Sequence, residues 1–173
     1  LAFEIALTRA FSVLLRYHFV FLAIALATCG LGVGGLVDFL WLRGRSAARD
    51  TTALSLLAAG AALTYAGSIA LLFSPPMAVH LTSLIVVGGV CIVPFIFAGA
   101  FLSHAFAAWS YAGGRMYFYD LTGAALGSCL VIIALQLLGA TGVPFVCALL
   151  AAAASAAVAP NARLRLPGIT LGI

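Results

Sequence analysis

The sequence predicts an all-α fold, a polytopic membrane helix bundle of about six transmembrane helices. Three observations carry this. The 173 residues are 65% hydrophobic and 7% charged, with a mean hydropathy of +1.26, whereas soluble domains carry about 25% charged residues. No Asp, Glu, Lys or Arg lies between Asp50 and Arg115, or between Asp120 and Arg163, and each of these stretches has room for two spans of roughly 20 residues. Glycines recur within the apolar stretches at the small-residue spacing that lets membrane helices approach closely.

The first stretch, Leu1 to Leu15, is apolar and helical in pattern but short for a crossing, so a span continuing upstream of Leu1 is expected. Glu4 and Arg9, five residues apart, lie about 140° apart around a helix and point to different neighbours. Ionisable groups at membrane depth are costly and mark function by default. A structural role for both, with Glu4 at the helix end and Arg9 snorkelling, stands beside that reading. The second stretch, Tyr17 to Leu40, is the most complete span. It carries no Asp, Glu, Lys or Arg from Phe19 to Val37, opens on Arg16, Tyr17 and His18, and holds Gly30, Gly32, Gly34 and Gly35 in its second half. Gly30 and Gly34 define a packing seam; without a strand before it in a βαβ unit, Gly30 to Gly35 is not a dinucleotide loop. Asp38 falls in the last turn, where Arg43 or Arg45 could pair with it.

The third span, Thr51 to Phe73, is stopped by Ser74-Pro75-Pro76, because neither proline donates an amide to a helix. The fourth, from about Val79 to Ala108, exceeds the length required and carries Pro94 midway, which predicts a kink. Trp109 to Tyr119 is an aromatic connector with Arg115 and a Gly113–Gly114 hinge, a composition suited to the headgroup region. The fifth span, Asp120 to Leu138, is expected to start on Asp120 as N-cap and to present Gly123 and Gly127 as a second packing face, with Gln136 near its far end. After a turn at Gly139 to Pro144, a sixth span runs from Phe145 to Val158. Residues 1–160 thus form the membrane domain, and 161–173 a cytoplasmic tail or the start of a further domain.

The arginines orient the bundle. Six of the eight (Arg43, Arg45, Arg49, Arg115, Arg163 and Arg165) fall on one side, which the positive-inside tendency makes cytoplasmic. Both chain ends are then expected in the cytoplasm of a bacterial inner membrane. With no lysine and no long basic run, nucleic acid is not an expected partner. Cys29, Cys91, Cys129 and Cys147 all fall within predicted spans and lack C-x-x-C spacing, so they read as small apolar packing residues. His18 and His80 are at best marginal for haem between helices, and interfacial histidine is the better reading for them and for His104. No nucleophile–base pair, paired carboxylates or metal-ligand spacing is present, so no catalytic residue, cofactor or metal is assigned.

Two groups of residues together resemble a known family. One is Glu4, Arg9, Phe11 and Ser12, followed by Tyr17-His18-Phe19, Phe21-Leu22, Ile24, Leu26 and the Gly30 to Gly35 seam. The other is Pro94-Phe95 with Gly99, then Tyr119-Asp120-Leu121 and Gly123 to Gly127. The pairing resembles the N-terminal membrane region of membrane-bound spermidine-synthase-like proteins, and it covers Glu4 to about Ala159. The resemblance implies a fold similar to half of a major-facilitator transporter, joined in the family to a soluble aminopropyltransferase-like domain that uses decarboxylated S-adenosylmethionine and a polyamine. The nucleotide-binding glycines and acidic residues of that domain are not among these 173 residues.

The expected function is therefore a non-catalytic integral membrane module, an anchor or accessory subunit in a larger membrane assembly. Its partners are the lipid bilayer and other membrane subunits or further copies of itself. Two alternatives stand beside it: the membrane part of an aminopropyltransferase-like enzyme, and a small-molecule transporter half-bundle motivated by Glu4, Arg9, Pro94 and Gln136.

Overall fold

A computed structural model describes residues 1–14, 20–42, 47–73 and 81–159 of the chain. The described residues form five α-helices: α1 (Ala2–Leu14), α2 (Val20–Val37), α3 (Ala47–Leu72), α4 (Leu81–Ala108) and α5 (Gly113–Val158). A π-helical turn, Asp38–Leu42, closes α2, and a 3₁₀ turn, Ser110–Ala112, joins α4 to α5. Four helical stretches are long and apolar enough to cross a membrane: Phe21–Trp41, Thr51–Leu72, Ile85–Ala108 and Ser110–Val158. The chain is an integral membrane helical protein.

The main pairings close into a ring in the order α1, α2, α4, α3, α5 and back to α1. Small residues line the contacts and large apolar ones face outward. Ala23, Ala27, Ala58, Ala61, Ala62 and Ala100 are buried, while Phe21, Leu56, Leu63, Ile85, Leu137 and Leu149 are exposed. In lipid an exposed leucine costs nothing, so close backbone approach, not burial of bulk, selects the interior. Bulky residues are buried too, among them Leu54 and Ile69 of α3, Phe95 of α4 and a stripe on α1. Phe3, Leu7 and Phe11 recur every fourth residue and are buried, and the Phe3 ring lies 4.6 Å from Tyr65 of α3 and 5.3 Å from Phe95 of α4. The first helix thus joins the ring through a stripe of large side chains.

The expectation of six spans is corrected here. The described part of α1 is thirteen residues, ~20 Å of helix, and is not among the four stretches. The fifth and sixth spans fall within one element of 46 residues, two helical arms that meet at a kink with no loop between them. At the kink Gly139 takes φ 71° and ψ 179°, a conformation open to glycine and strained for any other residue. The expected turn over Gly139 to Pro144 thus contracts to one residue, with Pro144 inside the helix that follows. The bend is tight enough that a Cβ on Gly142 would come within 2.6 Å of Leu138 Cβ. It brings Val131 and Val143, from the two arms, into one cluster with Ala6.

Asp120 is corrected as well. The aromatic connector is itself helical from Gly113, so Asp120 lies in the second turn, exposed, and is not an N-cap. The Gly113–Gly114 pair begins the helix and is not a hinge.

The α4 helix continues through Pro94. Proline there has no N–H for the carbonyl of Val90, four residues back. That carbonyl is instead approached by Ser68 Oγ of α3 at 3.4 Å, the weaker branch of a hydroxyl whose one proton goes chiefly to Thr64 O at 2.6 Å. Supply from a neighbouring helix is the means by which proline is tolerated in membranes. A second interhelical link joins α3 to the C-terminal arm of α5. Ser55 Oγ donates to Ser155 O at 3.0 Å, and Ser155 Oγ donates to Ser55 O at 2.8 Å.

Candidate functional site

The α2 and α4 helices run parallel and meet along a glycine seam. A Cβ on Gly30 would lie 2.5 Å from Phe95 Cβ. One on Gly34 would strike the Ile96 carbonyl and the Ala100 amide, and one on Gly99 would strike the backbone of Leu31. Gly34 and Gly99 require glycine because the opposing atoms are backbone and cannot turn aside, and Gly30 because Phe95 Cβ is fixed to its backbone and the Ile92 carbonyl lies beside it. The α2 face continues in steps of four: Gly30, Gly34, Asp38. Where the seam ends, the small residue is replaced by a carboxylate.

Asp38 is completely buried and His104 is 4% exposed. A hydrogen bond of 2.7 Å joins His104 Nδ1 to Asp38 Oδ1, and Ser103 Oγ donates to Asp38 Oδ2 at 2.8 Å. Both carboxylate oxygens are thus engaged by consecutive residues of α4. The π turn starting at Asp38 assists. Its wider turn keeps the aspartate against α4 while Phe39, Leu40 and Trp41 stay exposed.

Such a cluster has defined chemical capacities. A carboxylate with hydrogen bonds to both oxygens tolerates burial that an isolated one would not. The bonds set the rotation and the height of α2 on α4. The grouping is not a nucleophilic triad, because Ser103 donates to the carboxylate and not to the imidazole, leaving its hydroxyl without a base. Among the described residues, no group of three or more His, Cys, Asp and Glu side chains could hold a metal ion. All four cysteines are free thiols.

The polar residues singled out from the sequence do not converge. Glu4 is half-buried in the first turn of α1, and Arg9 is exposed on the same helix. Asp120 and Gln136 are exposed on α5. His18 and His80 lie outside the described residues, as do Arg43 and Arg45, the expected partners of Asp38. His104, read as interfacial, is instead buried inside the bundle. Of the packing glycines, Gly30 and Gly34 lie in the α2–α4 seam, whereas Gly123 and Gly127 have no atom within 4 Å of where a Cβ would sit.

The Asp38–His104–Ser103 cluster was missed in the sequence because its members are 65 and 66 residues apart, while arginines lie much nearer along the chain. A signal was present. Asp38 is in register with Gly30 and Gly34, so whatever that face packs against must also meet the carboxylate.

No family model, curated protein or solved structure matches the chain.

Proposed function

We propose that the chain is a non-catalytic integral membrane module, an anchor or structural subunit of a larger membrane assembly, with the Gly123–Gly127 face of α5 as its contact to a partner helix. One observation carries this reading: the same small-residue spacing is closed by α4 at Gly30 and Gly34 but open at Gly123 and Gly127. The α5 helix is also the least enclosed, with 17% of its most apolar stretch buried against 39% for α4. The end of the bundle that carries Arg115 and the start of α3 faces the cytoplasm in this reading, in a bacterial inner membrane. The resemblance to spermidine-synthase-like membrane regions supports the anchor form, with an aminopropyltransferase-like domain as the anchored part.

The test is the native mass of the gently solubilised protein and of the Gly123→Leu/Gly127→Leu variant. An assembly for the parent and a dissociated chain for the variant is expected; identical masses overturn the reading. A single native chain far heavier than 17.7 kDa with polyamine-forming activity would place the anchored enzyme first.

The buried Asp38–His104 pair favours a second reading, a transporter half-bundle, since Asp and His inside membranes serve proton-linked transport. Liposomes holding a trapped pH-sensitive dye decide it. Proton entry in the parent that is lost in Asp38→Asn supports transport, and no entry in the parent removes this reading.

A further inference from the structure

Where α4 leaves its apolar stretch, the chain turns through Ser110–Ala112 and starts α5. A cleft of about 190 Å³ opens at this corner, lined by Trp109, Tyr111, Ala112, Arg115, Met116 and Tyr119. Its position follows from the two apolar stretches on either side, Ile85–Ala108 and Ser110–Val158, which place the corner at a membrane–water boundary. The walls are almost wholly apolar carbon, yet an arginine stands at the rim. Arg115 is exposed and forms no ion pair among the described residues. Tyr111 and Tyr119 are exposed, and Trp109 and Met116 are half-buried.

We propose that this cleft seats one anionic phospholipid, with the Arg115 guanidinium on its phosphate and the upper acyl chain along Met116 and the Trp109 ring. The chemistry at the corner selects this occupant. A guanidinium offers paired donors matched to phosphate oxygens. Tyrosine and tryptophan settle at headgroup depth with the ring in hydrocarbon and the polar tip in water. A water-soluble anion would use the arginine but leave the apolar walls wet, and a neutral lipid would fill the walls but leave the cation without a net opposite charge. The anionic lipid satisfies both. The chain's positive formal charge of +4 adds long-range attraction of the same sign.

Trp109 reports on its own cleft once the other tryptophan is removed, and Trp41 is exposed and replaceable. The Trp41→Phe protein is placed in bilayers containing a small fraction of lipid brominated high on the acyl chain, with either a phosphatidylglycerol or a phosphatidylcholine headgroup. Quenching of Trp109 should show roughly fivefold preferential association with the anionic lipid, the scale of one arginine at a charged surface. The preference should vanish in Arg115→Gln. It should vanish also in Ala112→Phe, which fills the cleft and keeps the arginine. Helicity by circular dichroism identifies a variant that has failed to fold, and the other then decides. Equal quenching by the two lipids, or a preference that survives in a folded variant, overturns the proposal.

Discussion

Two regions of this molecule carry the same sequence pattern and have opposite surroundings. On α2, Gly30 and Gly34 are pressed against the backbone of α4, and the seam ends in the buried Asp38–His104–Ser103 cluster. On α5, Gly123 and Gly127 have the same spacing, yet among the described residues no other helix comes within 4 Å of where a Cβ would sit. Glycine spacing thus encodes a helix surface without naming what covers it. What separates the two faces is the polar group at the end of the seam. Asp38 accepts from Ser103 and His104 of α4, which fixes one register of α2 on α4, whereas the polar link from α5 into the chain is at Ser155, on the other arm from Gly123 and Gly127.

Substitutions along both faces can break this contrast, and they differ in scale. Gly34→Leu should have the largest effect, because the added side chain meets backbone. A loss of about 3 kcal/mol or more, at the upper end for overpacking, is expected in reversible unfolding from mixed detergent micelles. Asp38→Ala should cost about 2 kcal/mol by leaving Ser103 and His104 with buried polar atoms to satisfy. Here a double-mutant cycle with His104→Ala sharpens the result. The double variant should be less destabilised than the sum of the singles, and strict additivity would show that the pair does not couple. Ser155→Ala, which removes one of the reciprocal serine bonds to α3, should cost about 0.6 kcal/mol. Gly127→Leu should fall within about 0.5 kcal/mol of the parent, like an ordinary exposed substitution. A loss as large as that of Gly34→Leu would mean that the two faces are not different in kind.

The membrane class was legible because it depends on composition, and the seam because it depends on spacing within one helix. Helix positions followed for the same reason: α3 and α4 lie close to the expected spans from Thr51 and from Val79. What the sequence concealed was relational. Asp38 was read against arginines a few residues away, although its register with Gly30 and Gly34 already tied it to the partner of that face. Asp120 was read as a helix start because glycine pairs and aromatics suggested a connector, yet Gly113 and Gly114 are compatible with a first helical turn. The last two stretches are the two arms of α5, and Gly139 alone makes the bend between them. Nothing in single-sequence reading separates one glycine at positive φ from a longer turn.

The hydroxyl that Ser68 extends to the Val90 carbonyl bears on how the bundle is made. Chain synthesis delivers α3 before α4, so the donor helix is already in place when the proline-bearing segment arrives. The carbonyl freed by Pro94 then has a partner waiting on its neighbour. Order along the gene thereby spares the later helix an unsatisfied backbone group in hydrocarbon, a penalty of several kcal/mol. A version of this protein with the order of the two helices reversed would have to carry that group into the bilayer alone.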